Sequence, residues 1–294
     1  MLARESRWIL VHEHVLVDFI DAKDLTGPQN LRYDREEVVR AGLPHLQAIA
    51  KLGCLRLQEC TPNFLGRDPV LLQRLSRESG VEIWTNTGLY SAREHRHLPE
   101  YALKETPQQL ADRWIAEARN GVDGVTPRFI KIGVNKGPLD ELDRKIVEAA
   151  AITSKATGLV ICSHTGDGRA ALDQFDIIVQ RGGVAAKKFV WVHAQNELDL
   201  AIHERLARAG CWIEFDGIGK PSAQWHLRCI RHMAKKRLLG RVLISQDAGW
   251  YSVGQPGGGN FRGFDYIYTG FRPQLGPGHW ETLMWRNPRR CFGS

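Results

Sequence analysis

Two histidines near the N-terminus are spaced so that both could bind one metal ion. An apolar run ends in His12, Glu13 and His14. Alternate side chains of an extended strand lie on the same face, so His12 and His14 can reach one point while Glu13 faces away. A single pair of this kind often arises by accident at a strand end. The pair therefore predicts a metal site only if other strands end in comparable residues.

Four further residues at predicted strand ends supply such partners. Lys131 lies in the predicted fourth strand, and the fifth, sixth and eighth strands end at His164, His193 and Asp247. Each has an ordinary alternative, because a core histidine can be hydrogen-bonded and an aspartate can cap a turn. In a closed barrel, however, these strand ends converge on one face. Imidazoles and a carboxylate together are ligands suited to Zn²⁺ and related ions, so the set predicts a metal site.

Lys131 is the chemically unusual member of this set. An ammonium group in an apolar strand is costly to bury without a partner. The side chain could extend toward the barrel mouth and keep its charge in water. Beside two cations, the neutral amine could instead be carboxylated by CO₂, and the resulting carbamate has two oxygens that can bridge two metals. Both interpretations are open from the residues alone.

The elements that position these residues follow a repeated pattern. Apolar or β-rich segments, typical of strands buried on both faces, are Trp8–His14, Cys54–Cys60, Val81–Asn86, Arg128–Val134, Leu159–His164, Phe189–His193, Cys211–Asp216 and Arg241–Asp247. Helical segments that each stop at a glycine are Arg35–Leu52, Asp68–Ser79, Thr106–Asn120, Leu139–Thr157, Arg169–Arg181, Glu197–Ala209 and Ala223–Leu239. Eight β-then-α units predict an α/β fold, a (β/α)₈ TIM barrel, as one domain over residues 1–294.

Two long segments interrupt this pattern directly after strands. Thr87–Glu105 follows the third strand and contains Tyr90, and Ala248–His279 follows the eighth and contains the glycine-rich stretch Gly254–Asn260. Loops that follow the strands lie on the C-terminal face of a barrel, where such enzymes form their active sites. Both segments are therefore predicted to cover a site rather than to form further domains.

Composition excludes several classes of protein. No apolar run approaches the roughly 20 residues of a membrane span, which predicts no membrane segment. The net charge is +7, but the basic residues share helices with acidic ones and no recognition motif accompanies them, so no nucleic-acid partner is expected. The six cysteines form no C-x-x-C pair and are predicted to be reduced and structural. The N-terminus has no signal-peptide pattern, which favours the cytoplasm.

With these residues in view, the chain resembles the phosphotriesterase family of the amidohydrolase superfamily, and within it the phosphotriesterase-like lactonases. The resemblance extends over essentially the whole chain and includes short motifs in the family's order. They are Glu59-Cys-Thr-Pro62, Gly66-Arg-Asp68, Thr87-Gly-Leu-Tyr90, Phe261-Arg-Gly-Phe-Asp265 and Asn287-Pro-Arg-Arg290.

The resemblance implies a binuclear metal centre. His12, His14 and Asp247 would hold the more buried ion, and His164 and His193 the more exposed one. Carboxylated Lys131 and a hydroxide would bridge the two ions. Zinc is the first expectation for the metal, with cobalt, manganese or iron as alternatives.

The resemblance also implies roles in catalysis. Two cations lower the pKa of a bridging water and polarise the substrate oxygen. Asp247 would take up a proton and deliver it to the leaving group. Tyr90 would help to position a small-molecule substrate, a lactone or an organophosphate-like ester. The family further suggests a homodimer.

The chain departs from the family pattern after the sixth and seventh strands. Gly217 follows Asp216, where lactonases usually carry an arginine and phosphotriesterases a histidine. Ala194-Gln195-Asn196 follows His193, where acidic residues are common. Asp216 remains and would hold a ligand imidazole or a water.

Three hypotheses follow. The first is a metal-dependent lactonase with weak phosphotriesterase activity. The second is an amidase, carboxylesterase or phosphodiesterase whose pocket is shaped by Gly217 and Gly254–Asn260. The third is a barrel that binds a small molecule without catalysis.

Overall fold

The computed structural model describes residues 7–24, 32–276 and 278–293. Residues 1–6, which bear on the predicted absence of a signal peptide, lie outside this part of the chain. The strands are β1 (Trp8–Val17), β2 (Cys54–Glu59), β3 (Glu82–Trp84), β4 (Asn86–Thr87), β5 (Phe129–Val134), β6 (Ile161–Thr165), β7 (Phe189–Val192), β8 (Trp212–Phe215), β9 (Val242–Ile244) and β10 (Gly249–Ser252).

The strands form the predicted eight-stranded parallel barrel. They pair in the orders β10-β1-β2-β3 and β4-β5-β6-β7-β8-β9. β3 and β4 are halves of the third barrel strand, separated only by Thr85. β9 and β10 are halves of the eighth, and the chain between them stays beside β1, because the Asp247 amide donates to the His12 carbonyl oxygen at 3.1 Å. The prediction of a TIM barrel is confirmed.

Helices α1–α10 surround the barrel. They span Arg35–Lys51, Pro69–Ser79, Glu100–Lys104, Pro107–Asn120, Glu141–Thr157, Gly168–Phe175, Leu200–Arg208, Ala223–Lys235, His279–Glu281 and Asn287–Phe292. Polar side chains cap the starts of α1, α2, α4, α5, α6 and α7 by accepting a backbone N–H. The capping residues are Asp34, Asp68, Thr106, Asp140, Asp167 and Asp199.

Several predicted boundaries were wrong. α8 ends at Lys235 rather than at Leu239, and Gly240 lies in a 3₁₀ turn. The helix predicted to begin at Glu197 begins at Leu200, because Asp199 caps it. The two segments predicted as covering loops also contain regular structure, since α3 lies in the first and β10 in the second.

Two layers of apolar side chains pack the molecule. Ile9, Phe129, Val190, Trp212 and Leu243 fill the barrel interior, and a larger cluster packs the outer strand faces against the helices. The six cysteines are all buried and unpaired, as predicted. Among the described residues, no helix has both the length and the apolar character needed to cross a membrane.

Candidate metal centre

Strand alternation carries most of the predicted residues to the barrel mouth. On β5, Phe129 packs in the barrel interior, and Lys131 follows two residues later on the same face. On β6, Cys162 packs inside and His164 lines the cavity above it. Because side chains two residues apart share a face, the interior changes from apolar to polar toward the C-terminal strand ends.

In β1, the histidine side chains face the cavity because the strand is irregular. Ile9 packs inside the barrel and Leu10 packs outside, so strict alternation would turn His12 outward with Leu10. The pairing register with β2 shifts between Leu10 and Glu13. A local irregularity of this kind re-aims side chains. It lets His12 and His14 face the cavity.

Glu13 is buried on the other side of β1. Its carboxylate accepts hydrogen bonds from Ser245 Oγ at 2.8 Å, the Gln246 amide at 3.0 Å and the Ala248 amide at 2.7 Å. Burial raises the pKa of Glu13 to about 8. Glu13 therefore links β1 to the eighth strand and faces away from the histidine pair, as predicted.

His12, His14 and Asp247 form a compact donor set. Asp247 Oδ1 lies 3.1 Å from His14 Nε2 and 3.8 Å from His12 Nε2. His12 Nε2 and Asp247 Oδ1 are buried and make no hydrogen bond within the described part of the chain. Buried polar atoms without partners are rare and call for an explanation. A divalent ion accepting these nitrogen and oxygen donors would satisfy them, so the residues fit a metal.

The Nδ1 atoms of His12 and His14 both contact side chains of the protein. His12 Nδ1 lies 2.8 Å from Glu214 Oε1 and 3.3 Å from Asp216 Oδ2. His14 Nδ1 lies 2.7 Å from Thr61 Oγ1. A partner at Nδ1 fixes the ring orientation and leaves Nε2 free for a metal. Sequence analysis did not identify Glu214 as a site residue. Its carboxylate lies in an apolar strand two residues before Asp216, and this pattern could have indicated a role at the site.

His164 and His193 form a second, looser set. Their ring centroids are 4.5 Å apart. His193 Nδ1 lies 2.5 Å from Asp216 Oδ1, whereas a His164 nitrogen lies 3.2 Å from the Tyr90 hydroxyl. Among the described residues, His164 belongs to no three-residue cluster with donor atoms within 4.8 Å of one another. Lys131 is buried and lines the same cavity.

Asp216 connects the two sets. Its carboxylate contacts both His12 and His193, and its Oδ2 also accepts from the His193 amide at 3.0 Å. Gln195 binds it twice, since Gln195 Nε2 donates to Asp216 Oδ1 at 2.8 Å and Gln195 Oε1 accepts from the Asp216 amide at 3.2 Å. A neutral amide thus contacts Asp216 from the loop in which acidic residues are common in the family.

The electrostatics of the site follow from burial and from close charges. Burial, aided by the Lys131 charge, lowers the pKa of His12 to about 4. Burial also lowers the pKa of His164 far below its usual range. Burial would raise the pKa of Asp247, but His14, His12 and His193 outweigh it and lower that pKa to about 2. Neutral imidazoles and an ionised carboxylate are the forms that bind metals.

His193 and Asp216 shift in opposite directions. Burial would lower the pKa of His193, but the Asp216 carboxylate outweighs burial and raises it. The same pair keeps the pKa of Asp216 well below its usual range despite burial. Asp216 therefore stays ionised and holds the His193 imidazole in place.

Backbone strain is concentrated at the site. His193, Asp247 and Trp250 have φ values of 62°, 50° and 76°, in the left-handed region that side chains rarely adopt. Such strain costs about 1–3 kcal/mol per residue and is often found at functional sites. Trp250 Nε1 donates to the Asp247 carbonyl oxygen at 2.9 Å, which holds the indole beside the donors.

The predicted site residues surround one cavity of about 310 Å³. His12, His14, Tyr90, Lys131, His164, His193 and Asp247 all line it. The lining also contains Phe19, Arg93, Lys136 and Trp250, which the sequence interpretation had not selected. Gly217 and the stretch Gly254–Asn260 do not line it, so the expectation that they shape the pocket wall was wrong. Gly258 packs instead against the ring of Tyr251.

A second group of a histidine and two carboxylates makes several hydrogen bonds to the protein, although His95 Nδ1 has no hydrogen-bond partner among the described residues. His95 Nε2 lies 2.8 Å from Asp140 Oδ2. Asp143 accepts from Ser91 Oγ at 2.5 Å and from the Asn135 amide at 3.2 Å. These contacts secure the loop after the third barrel strand, and we assign this group a structural role.

Comparison with known proteins decides the family. The sequence profile of the phosphotriesterase family matches residues 5–292. The chain belongs to the phosphotriesterase family. The phosphotriesterase homology protein of Escherichia coli is 26% identical over 97% of each chain. The N-acetyltaurine hydrolase of Homo sapiens is 26% identical, over 84% of this chain and 73% of its own.

The fold of the family is also found in a solved structure. A lactonase from Listeria monocytogenes superposes with a TM-score of 0.83 at 22% identity, over 98% of this chain and 95% of its own. The resemblance read from the motifs is confirmed, and so is the prediction of an enzyme. This member of the phosphotriesterase family is a hydrolase with candidate metal-binding residues at its barrel mouth.

Proposed function

We propose that this hydrolase uses a binuclear metal centre to cleave a carboxylic ester bond, most directly that of a lactone, with phosphotriester hydrolysis as a weaker activity. The observation that carries the proposal is the convergence of both histidine sets, joined by Asp216, on one cavity. His12 Nε2 is buried there without a partner among the described residues.

The donor sets suggest how the ions are held. His12, His14 and Asp247 would hold one ion, and His164 and His193 the other, with a carboxylated Lys131 between them. Nitrogen and oxygen donors suit zinc, and cobalt, manganese or iron share the same donor chemistry. Two bound ions would polarise the substrate's carbonyl oxygen and lower the pKa of a water molecule.

The protein's own groups move the proton and position the substrate. Asp247 takes up the proton released as water attacks the carbonyl carbon, and delivers it to the leaving oxygen. The Tyr90 hydroxyl faces the cavity beside His164 and can donate to a substrate oxygen. Phe19 and Trp250, with ring centroids 5.6 Å apart, form an apolar wall that limits water on one side.

Cavity size limits the substrate. About 310 Å³ is at the lower end of the range for small-molecule sites. A small lactone or a short acyl compound fits such a volume. We propose a small molecule as the partner, while the homodimer and the cytoplasmic location stay predictions.

Amide hydrolysis is the second candidate. The similarity to the human N-acetyltaurine hydrolase favours it. The same residues would act, with Asp247 protonating a leaving amine instead of an oxygen. A lactone and an amide of equal acyl length distinguish the two candidates.

The test combines metal content with a substrate panel. The purified protein is expected to hold two divalent ions per chain, and to hydrolyse lactones with a higher kcat/KM than esters, amides or phosphotriesters. Lys131→Ala should lower hydrolysis about a thousandfold, because several kcal/mol of metal-based stabilisation are lost. Lys155→Ala, on the exposed face of α5, is the matched control. Fewer than two ions per chain, together with full activity of Lys131→Ala, would overturn the binuclear mechanism.

A further inference from the structure

The charges that line the cavity are unbalanced. Arg93, Lys131 and Lys136 contribute positive charges, while Asp247 is the one carboxylate among the described residues that line it. Asp247 is engaged by His12 and His14, and Lys131 is buried among the same donors. The exposed Arg93 and Lys136 are left as a cationic rim.

The rim cations have no acidic partners among the described residues. In the described ranges, neither Arg93 nor Lys136 forms an ion pair within 4.0 Å, although both are close to acidic residues in sequence. Glu94, next to Arg93, pairs instead with Arg96 at 2.9 Å. Two unpaired cations at one cavity mouth are therefore available to an anion from outside.

The backbone holds Arg93 in place at a cost. Arg93, Glu94 and His95 are consecutive and have φ values of 59°, 57° and 63°. The left-handed backbone conformation is unfavourable for residues that carry a side chain. The Glu94 amide donates to Asn135 Oδ1 at 3.1 Å, and His95 contacts Asp140, so the turn is fixed from two sides. Strain retained in this way often marks a functional position.

The Arg93 side chain is oriented as well as positioned. Its guanidinium carbon lies 3.9 Å above the centroid of the Phe19 ring. This cation–π contact covers one face of the guanidinium. The N–H groups lie in the guanidinium plane and stay free to bind an oxyanion through two hydrogen bonds. An oriented side chain loses less entropy when a ligand binds.

Between the metal donors and the cationic rim lies the aromatic wall. Trp250 packs on His14 with centroids 5.0 Å apart, Phe19 packs on Trp250, and Arg93 packs on Phe19. From the cavity floor outward, a ligand therefore meets metal donors, then apolar rings, then positive charge. A matching substrate has its hydrolysable carbonyl at one end, apolar atoms in the middle and an anion at the other end.

We propose that Arg93, assisted by Lys136, binds an anionic group of the substrate, so that the enzyme selects lactones, esters or amides that bear a terminal carboxylate or sulfonate. This inference rests on the proposed hydrolytic function and names its substrate class. It also accounts for Gly217. The cation that lactonases carry after Asp216 is absent, and positive charge comes instead from the segments that follow the third and fourth barrel strands.

The test uses matched substrate pairs. Each pair joins an N-acetyl compound with a terminal carboxylate or sulfonate to the neutral primary amide of the same length. Arg93→Gln should raise KM for the anionic member about 10- to 100-fold, the range of one or two charge-assisted hydrogen bonds. Lys136→Gln should raise KM for the anionic member about threefold, since an exposed ion pair contributes little to binding. The carboxylate and sulfonate series identify which anion is preferred.

Arg119→Gln is the matched control, because Arg119 is exposed in the last turn of α4, away from the strand C-termini. It should leave KM for every substrate unchanged. An Arg93→Gln effect of equal size on neutral and anionic substrates would overturn the subsite, as would a wild-type preference for the neutral members.

A second readout separates this inference from the proposed function. If the wild type hydrolyses neither these compounds nor any lactone or ester of the substrate panel, the proposed function fails. The anionic compounds then serve as ligands in calorimetric titrations. Wild type binding at least tenfold more tightly than Arg93→Gln would support the subsite on its own, and equal binding would overturn it.

Discussion

The two halves of the candidate metal centre differ in how far the protein alone assembles them. In the half formed by His12, His14 and Asp247, donor atoms lie within 4.8 Å of one another and both imidazoles are anchored at Nδ1. In the half formed by His164 and His193, only His193 has a carboxylate partner. The His164 ring packs on His193, and its hydrogen-bond partner among the described residues is the Tyr90 hydroxyl.

The difference between the two halves shows what holds the metal donors in place. The first half is held by the closure of the barrel, since β1 and the eighth strand are tied together through Glu13. In the proposed centre the second half would depend on Lys131, which could contribute an oxygen donor only when carboxylated. A preorganised donor set binds with less loss of entropy. We therefore expect the first half to bind its ion more tightly than the second.

The largest expected effect is a difference in the number of metal ions bound when one histidine of either half is removed. His14→Ala should lose both ions, whereas His164→Ala should keep one ion per chain. Both variants should lose about a thousandfold in kcat/KM, because hydrolysis needs the complete centre. Elemental analysis after gel filtration gives the ion count. Equal counts in the two variants would show that the halves do not differ.

A tenfold to hundredfold effect is expected where the halves meet. Asp216→Asn keeps the shape of the side chain but removes the charge that orients His12 and His193. Loss of such a partner typically costs 10- to 100-fold in metal affinity or activity. Affinity for both ions should fall, as measured by competition with a chelator. Asp140→Asn removes a similar aspartate–histidine contact outside the site and should leave both affinities unchanged.

A smaller effect, about tenfold, is expected from Thr61→Val. The hydroxyl of Thr61 contacts His14 Nδ1 at 2.7 Å and so anchors the first half alone. The first ion should bind more weakly while the second is unaffected, which chelator titration in two phases can resolve. Thr85→Val is the control, because the buried Thr85 hydroxyl has no partner in the described chain. A loss confined to the second ion would contradict the assignment of Thr61.

The smallest effect concerns stability rather than the metal. His203 is buried like the site histidines, and its Nε2 donates to the Ala194 carbonyl oxygen at 2.7 Å. Burial lowers the pKa of His203 from 6.5 to about 4. Since the unfolded chain takes up a proton below pH 6.5 and the folded chain does not, stability should fall as pH drops from 6.5 toward 4.

Between pH 7.5 and 5 this group contributes about 2 kcal/mol of that loss. His203→Gln keeps a hydrogen-bond donor but cannot be protonated. Chemical denaturation at both pH values should therefore show a smaller drop for the variant than for the wild type. An identical loss of stability in the variant and the wild type would mean that groups other than His203 determine the pH dependence of stability. That result would not bear on the comparison of the two halves of the metal centre.

Strand-based predictions succeeded where local geometry dictates side-chain direction. Lys131 and His164 sit two residues beyond the inward-facing Phe129 and Cys162, so a period of two placed them correctly. His12 reached the cavity through a register shift that a period of two does not contain. The His12-x-His14 motif correctly predicted that His12 faces the cavity, although the strict alternation of strand β1 on which this prediction was based does not hold.

Loop residues of the cavity could not be predicted in the same way. Arg93 and Trp250 have left-handed backbone angles. Glu94, next to Arg93, is held by Asn135, and Trp250 is held by the Asp247 carbonyl oxygen, contacts that no sequence period predicts. A glycine-rich sequence signals conformational freedom but not direction, and Gly254–Asn260 lies away from the cavity wall. The end of α8 was misplaced for a related reason, since the helix stops before the glycine that was taken as its signal.

The most direct test of the binuclear centre is anomalous scattering from crystals of the zinc-loaded protein. We predict two zinc peaks per chain, one among His12, His14 and Asp247 and the other beside His164 and His193. Density for a carboxylated Lys131 should lie between them. A single peak, zinc at the His95 and Asp140 group instead, or an unmodified Lys131 between two ions would contradict the account.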